Sequence, residues 1–154
     1  MPQRGTASLK GLCERGHPIT NKPVEQVRLH SLSRARDHAC LCARVADEYR
    51  GKDTLVLDLT RVTPIVDYFV ITTATSGRQM HAIADEVSRT LTGEGSTRLG
   101  VEGADGNSWI LLDYGDIVLH VFTQEARDTY DLEHLWADAD RVDWQANGAD
   151  DQNR

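Results

Sequence analysis

Residues 68–91 read YFVITTATSGRQMHAIADEVSRTL, and this stretch decides the fold. Its first part, residues 68–73, is nearly all apolar, which predicts a strand buried on both faces of a sheet. Ser76 and Gln79 then form the S-x-x-Q pattern of a helix N-terminus. Beyond them, apolar residues recur at the helical spacing of three and four: Met80, Ile83, Ala84, Val87 and Leu91. The stretch therefore predicts a buried strand followed by a long amphipathic helix.

The flanking sequence predicts the remaining elements. Upstream, a helix is expected over about residues 33–49, ended by Gly51, and TLVLDL predicts a strand over residues 54–59. Downstream, strands are predicted at RLGVEG, SWILLD and DIVLHVF, and one or two short helices at QEARDTYDLEHLW. Tyr114-Gly115 joins the last two strands in a hairpin. The order α-β-β-α-β-β-β-α predicts an α/β fold, a compact sandwich with a mixed sheet of about five strands.

The two ends of the chain differ from its middle in composition. Residues 1–33 contain several Pro, Gly and Ser without a sustained period, which predicts a basic, disordered extension. The arginines and serines of this extension also fit an organelle transit peptide. Residues 34–136 form the predicted domain, and residues 137–154 are predicted to be an acidic, polar, frayed tail.

Charge is unevenly distributed along the 154 residues. Residues 1–36 carry a net +5, whereas residues 37–154 carry −12, which together give −7. An acidic body repels a phosphate backbone and attracts a basic protein surface, so no direct nucleic-acid binding is expected from the domain. No apolar run approaches the ~20 residues of a membrane helix, and no secretory signal is recognised, so neither membrane insertion nor export is expected.

The cysteines give little support for a disulfide or metal framework. Cys13, Cys40 and Cys42 are few and odd in number, which favours a reducing compartment. A zinc site that also includes His17 is conceivable, but Cys40 and Cys42 are two residues apart on a predicted helix and would point to different faces. No metal site is therefore predicted.

Catalytic patterns are incomplete in this chain. The TATSGRQ turn precedes a helix N-terminus, where anions bind, but it has one glycine and no Walker lysine. Nucleotidyl transfer needs paired carboxylates, whereas strand alternation puts Asp116 and His120 on one face with a single carboxylate. His120 could be a general base, or simply a hydrogen-bonded, partly buried residue. We expect no enzymatic activity and no cofactor; the alternative is a divergent metal-dependent nucleotidyltransferase.

Aromatic and acidic residues occur together around the hairpin and after it. They are Trp109, Asp113, Tyr114, Asp116, Asp128, Tyr130, Asp131, Glu133 and Trp136. Aromatic anchors inside an acidic rim are typical of surfaces that dock on a basic protein. The alternative is that the aromatic residues belong to the core and the acids are solvated. Alternation places Trp109 opposite Ile110 and Leu112, on a face that packs on something beyond the sheet.

Several linked motifs resemble, in order and spacing, the Iojap family of ribosomal silencing factors. These motifs are VDYFVITTATSGRQMHAIADEV, LGVEG, WILLDYGDIVLHVF and YDLEHLW, and the likeness covers about residues 53–136. Ala74 departs from the glycine often found before the Thr-Ser turn. The resemblance implies that residues 34–136 are a ribosomal silencing factor domain. It also implies a nucleotidyltransferase-like fold that is catalytically degenerate.

The resemblance further implies a binding protein that acts on the ribosome. Such a protein would dock on the large ribosomal subunit through its protein fourteen, sterically block joining of the small subunit, and repress translation under nutrient limitation. Homodimers are implied as well. By the family pattern, the contact residues are Trp109, Leu112, Asp113, Tyr114, Asp116, Tyr130 and Asp131. The expected location is the bacterial cytoplasm, or a mitochondrion or chloroplast if residues 1–33 are a transit peptide.

Overall fold

A computed structural model of the protein describes residues 22–146. The helices are α1 (Lys22–Glu48), α2 (Gly77–Gly93), α3 (Gln124–Tyr130) and the single turn α4 (Leu132–Leu135). The strands are β1 (Lys52–Asp58), β2 (Tyr68–Thr73), β3 (Gly100–Glu102), β4 (Trp109–Asp113), β5 (Ile117–Phe122) and β6 (Asp140–Val142). The predicted α/β class and element order are confirmed, with six strands instead of about five.

The six strands form one mixed sheet in the order β3-β4-β5-β2-β1-β6. Strands β2 and β5 are parallel neighbours, and the other neighbouring pairs described are antiparallel. The hairpin between β4 and β5 has the register Asp113↔Val118, and Tyr114 N donates to Ile117 O at 3.0 Å. The turn residues are therefore Gly115 and Asp116, one position later than predicted. Gly115 has a φ of +86°, which glycine adopts without strain.

The chain divides into two units, residues 1–31 and 32–154. In the first unit the described residues form the beginning of α1, where Val24, Val27 and Leu29 are exposed. The prediction that the helix begins near Ser33 is therefore wrong. Periodicity could not reveal this segment, because side chains that are exposed all around the helix leave no apolar face. Residues 1–21 of the predicted extension lie outside the described residues.

In the second unit, helices pack on each face of the sheet. The part of α1 within this unit and α2 cover one face, and α2 buries the five residues predicted for its apolar side: Met80, Ile83, Ala84, Val87 and Leu91. Strand residues on this face include Val70, Ile110 and Leu112. The other face carries a smaller cluster with α3 and α4, composed of Leu57, Ile71, Phe122, Ala126 and Leu132.

The N-terminus of α2 is capped as predicted. Ser76 Oγ accepts a hydrogen bond from the Gln79 backbone N at 3.1 Å. The Gln79 side chain does not return to the backbone N of Ser76: its Oε1 accepts from Thr75 N at 2.7 Å. Its Nε2 donates to the backbone oxygens of Tyr49 and Arg50 at 3.0 and 2.8 Å. Gln79 thereby ties the start of α2 to the end of α1.

The C-terminal segment is more ordered than predicted. Strand β6 pairs with β1 in the register Val56↔Val142, and Trp144 is buried with its Nε1 donating to Thr54 O at 3.2 Å. The prediction of a frayed tail from Ala137 onward is therefore wrong for residues 140–144. The sequence alone does not predict this strand, because two apolar residues, Val142 and Trp144, are too few to establish a period. Residues 147–154 lie outside the described residues.

Candidate functional site

The sheet face that α3 and α4 cover carries a cluster of aromatic rings, here termed the aromatic face. Its members are Phe69, Trp109, His120, Phe122, Tyr130 and Trp136. The β4–β5 pairing sets Trp109 opposite Phe122, and parallel β2 places Phe69 beside this pair of strands. Tyr130 ends α3 and Trp136 follows α4, so the two short helices add their aromatic residues to those of the strands.

The rings of the aromatic face form a continuous layer. The Trp109 ring centroid lies 4.9 Å from that of Phe122 in a stacked arrangement and 4.6 Å from that of Tyr130. Phe69 contacts the His120 ring edge-on at 4.6 Å and the Trp136 ring edge-on at 5.8 Å. Offset and edge-on pairs each contribute roughly 0.5–1.5 kcal/mol beyond their buried area, so the layer is held together by its own contacts.

Two short helices leave this layer partly open. His120 and Phe122 are buried, whereas Tyr130 and Leu135 are 54% and 70% exposed. Half-buried side chains on this face include Phe69, Trp109, Leu111, Val118 and Trp136. The larger core on the opposite face is covered by two longer helices. A contiguous apolar surface that stays accessible in a folded domain is typical of an interaction site.

His120 lies at the centre of the layer and is uncharged. Its Nδ1 accepts a hydrogen bond from Trp109 Nε1 at 3.2 Å, so the proton of the neutral ring is on Nε2. Burial lowers the pKa of His120 from 6.5 to about 3. Nε2 is buried and has no hydrogen-bond partner among the described residues. With one nitrogen bonded and the other protonated, this imidazole has no free lone pair to act as a general base at neutral pH.

The carboxylates of the hairpin have structural partners. Asp113 Oδ1 accepts a hydrogen bond from Gly115 N at 2.7 Å and so stabilises the turn. The backbone oxygen of Asp116 accepts from the backbone N atoms of Asp67 and Tyr68, which attaches the turn to the start of β2. Both Asp113 and Asp116 are half-buried. Asp113 is about 13 Å along the strand from Trp109, because it lies four positions later in β4 at a rise of ~3.3 Å per residue.

Two predicted contact residues belong to the core instead. Leu112 is 1% and Tyr114 6% exposed, and both pack in the cluster with α2. The Tyr114 hydroxyl lies 3.5 Å from Ser88 Oγ, and burial raises the pKa of that hydroxyl. The prediction that they lie on a contact surface is therefore wrong. Both share the strand face of Ile110, which is opposite to that of Trp109.

The other predicted residues divide between two places. Trp109 and Tyr130 are in ring contact, and Asp131 follows Tyr130 with an exposed side chain and a φ of +44°. Asp113 and Asp116 lie at the far end of the hairpin. The structure therefore unites Trp109, Tyr130 and Asp131 and separates them from the two hairpin acids.

The described part of the chain contains no arrangement typical of a metal site. Across residues 22–146, no three His, Cys, Asp or Glu side chains form a group that could hold an ion. Cys40 and Cys42 are both buried in the main core, where burial raises the pKa of the Cys42 thiol. Cys13 and His17, the other members of the conceivable zinc set, lie outside the described residues.

Comparison with known proteins decides the family. Residues 32–154 match the family model described as "Ribosomal silencing factor during starvation". The chain belongs to the ribosomal silencing factor family. The family membership indicated by the linked motifs is therefore confirmed. The family places the chain among regulators of translation. The match begins inside α1, at the first residue of the second structural unit.

Individual relatives are similar over most of the domain. Ribosomal silencing factor RsfS of Bacillus subtilis is 38% identical over 103 residues, which cover 67% of this chain and 87% of that protein. The chloroplastic protein Iojap of Zea mays is 32% identical over 101 residues, or 66% of this chain and 44% of that protein. A crystal structure from Chromobacterium violaceum matches with a TM-score of 0.64 and 33% identity, covering 66% and 85% of the two chains.

The family thus includes bacterial and organellar proteins. Within residues 22–146, no helix has the length and apolar character needed to cross a membrane.

Several residues on the side of the sheet that carries the aromatic face were absent from the predicted contact set. Phe69, Leu111 and Val118 are half-buried on this face, and His120 lies beneath them. Alternation within each strand could have found them, because Leu111 shares the parity of Trp109 and Phe69 is opposite to Val70. Their proximity across strands depended on the pairing of β2 with β5, which no local pattern predicts.

Proposed function

We propose that the chain docks on the large ribosomal subunit through the aromatic face and sterically blocks joining of the small subunit. The partner on that subunit is its protein fourteen, and the outcome is repression of translation under nutrient limitation. One observation carries the proposal: the aromatic layer is left half-open by α3 and α4, with Tyr130 54% exposed. An open aromatic layer offers the large, rigid side chains that dominate binding energy at protein interfaces.

The charge of the chain supports a basic protein as the direct contact. Residues 37–154 carry a net −12, and the exposed carboxylates of Asp128 and Asp131 flank Tyr130. Such a surface accelerates encounter with a basic partner and repels RNA phosphates. Affinity should fall as salt rises, because the screening length shortens from ~10 Å at 0.1 M to ~3 Å at 1 M.

The proposed contact set keeps those predicted residues that are not buried. Leu112 and Tyr114 are excluded because they are buried, and Phe69 and Leu111 take their place. The full set is Phe69, Trp109, Leu111, Asp113, Asp116, Tyr130 and Asp131. The aromatic members would supply affinity, and the acids would supply orientation and a faster approach.

Sucrose-gradient sedimentation with purified subunits tests the proposal. The wild-type protein should sediment with large subunits and reduce the fraction of joined ribosomes. Trp109→Ala should weaken binding about 30-fold, the ~2 kcal/mol typical of an aromatic anchor. Tyr130→Ala should weaken it as well. Tyr49→Ala is the matched control, because Tyr49 is also an exposed tyrosine but contacts Glu86 of α2 on the other side of the sheet.

The possible outcomes distinguish an error in the proposed function from an error in the proposed contact surface. If the wild-type protein neither sediments with large subunits nor affects joining, the proposed function is wrong. If it does both, while Trp109→Ala and Tyr130→Ala bind normally, the contact surface lies elsewhere. Circular dichroism of each variant shows whether the fold is retained. Tyr114→Ala is unsuitable for this purpose, because removing a buried ring disturbs the core.

The proposed mechanism is steric and requires neither a reaction nor a cofactor. The nucleotidyltransferase alternative is tested with labelled nucleoside triphosphates, magnesium and RNA. Label transfer that is lost in Asp113→Ala and Asp116→Ala would favour the enzyme. Homodimer formation and location in the bacterial cytoplasm or an organelle stay predictions. Light scattering measures the first, and following a tagged residue 1–36 segment in cells tests the second.

A further inference from the structure

We infer that His120 is a positioning residue of the docking surface, which holds the Trp109 indole in the orientation that the partner contacts. The inference rests on the proposed function. His120 is only 4% exposed, so it cannot touch a partner in this conformation and acts through Trp109. The link is the hydrogen bond of 3.2 Å from Trp109 Nε1 to His120 Nδ1.

Packing alone does not account for a histidine at this position. Phe69 lies edge-on to the His120 ring at 4.6 Å, and Phe122 lies parallel to it at 5.9 Å, so a phenyl ring would suit the surroundings. The histidine also leaves Nε2 buried without a hydrogen-bond partner among the described residues. An unpaired buried donor destabilises a fold. The group that phenylalanine could not supply is the Nδ1 acceptor.

The Trp109 ring needs such an acceptor because stacking does not fix its direction. The torsion that rotates an aromatic ring about its bond to Cβ is roughly two-fold, so the flipped indole could stack on Phe122 and contact the tilted Tyr130 ring almost as well. The flip would exchange the Nε1 edge and the hydrocarbon edge. A hydrogen bond to a buried acceptor distinguishes the two orientations. A side chain that is already fixed loses less conformational entropy when a partner binds.

His120→Phe tests the inference, because it keeps an aromatic ring and removes both imidazole nitrogens. The NMR resonance of the Trp109 Nε1–H should move towards its solvent-exposed value. The Kd for large subunits should rise about tenfold, which corresponds to about 1.4 kcal/mol. The Tm at neutral pH should stay equal to that of the wild type or rise. His81→Phe, on α2 at the other side of the sheet, is the matched control and should change none of these measurements.

Each remaining outcome has a definite meaning. Normal binding by His120→Phe overturns the inference and leaves the proposed function intact. A lowered Tm together with weaker binding indicates a structural role and also overturns it, as does an unmoved Trp109 resonance. In a Trp109→Phe background no indole N–H remains, so His120→Phe should no longer affect binding; an undiminished effect overturns the inference. Failure of the wild-type protein to bind rejects the proposed function, and the inference with it.

Discussion

Acid should destabilise the fold through the imidazole of His120. Burial lowers the pKa of His120 from 6.5 to about 3 in the folded chain. The physical cause is that a ring 4% exposed among aromatic side chains cannot solvate a positive charge. In the unfolded chain the imidazole regains a pKa of about 6.5. Below that pH the unfolded state binds a proton that the folded state does not.

The sign and size of the effect follow from this difference. The stability that the neutral imidazole contributes is fully present above about pH 6.5 and is lost as the pH falls towards about 3. Within that window the free energy of unfolding decreases by about 1.4 kcal/mol for each pH unit. The complete loss is about 5 kcal/mol, which is comparable with the whole stability of a typical domain, roughly 5–15 kcal/mol.

Urea unfolding of the wild type and of His120→Phe at several pH values isolates this contribution. Other titrating groups are shared by the two proteins, so their contributions cancel in the difference. Between about pH 6.5 and about pH 5, the difference in unfolding free energy should shift by about 2 kcal/mol in favour of the variant. A difference that stays constant over this range would show that the imidazole is protonated equally easily in both states, and would refute the burial argument.

Three further substitutions test the fold by urea titration. Arg127→Ala should lower the free energy of unfolding by about 3 kcal/mol. The reason is that the buried guanidinium donates to Thr73 Oγ1 at 2.8 Å and to Glu133 Oε1 at 2.7 Å. A loss under about 1 kcal/mol would show that these hydrogen bonds contribute little to stability. Gly115→Ala should lower the free energy of unfolding by about 1–2 kcal/mol, because a φ of +86° is strained for any residue with a side chain. An unchanged urea midpoint would contradict this expectation. Leu112→Ala should lower the free energy of unfolding by about 3 kcal/mol, because it leaves a cavity in the core. The affinity of the folded fraction for large subunits should stay unchanged, and a weakened affinity would show that Leu112 is a contact residue after all.

Periodicity predicts those parts of the fold in which one face of an element is buried. All five apolar residues assigned to the inner side of α2 are buried, and the Ser76 cap is present. Alternation also placed Trp109 opposite Ile110 and Leu112, as the two core clusters confirm. The same alternation, continued by two residues, assigns Tyr114 to the face covered by α1 and α2. An aromatic residue beside acids therefore does not indicate a contact surface where the parity of the strand places that residue in the core.

Other features depended on contacts between distant parts of the chain. Strand β6 has three residues and becomes recognisable only through its pairing with β1. The beginning of α1 has no buried side and therefore no period. The hydrogen bond between Trp109 and His120 requires the register of β4 and β5, which the turn predicts only if its length is known. The composition of the aromatic face was thus partly predictable, whereas its arrangement was not.

The short strands at the two edges of the sheet limit edge-to-edge aggregation of the protein at high concentration. An open strand edge exposes unpaired backbone groups that recruit other chains into aggregates. Here β3 and β6 have only three residues each, and β6 places the exposed side chains of Asp140 and Arg141 along its edge. Behind it, the longer β1 contains the apolar run LVL. Truncation before Asp140 would uncover that run, and copies of the chain would then pair edge to edge.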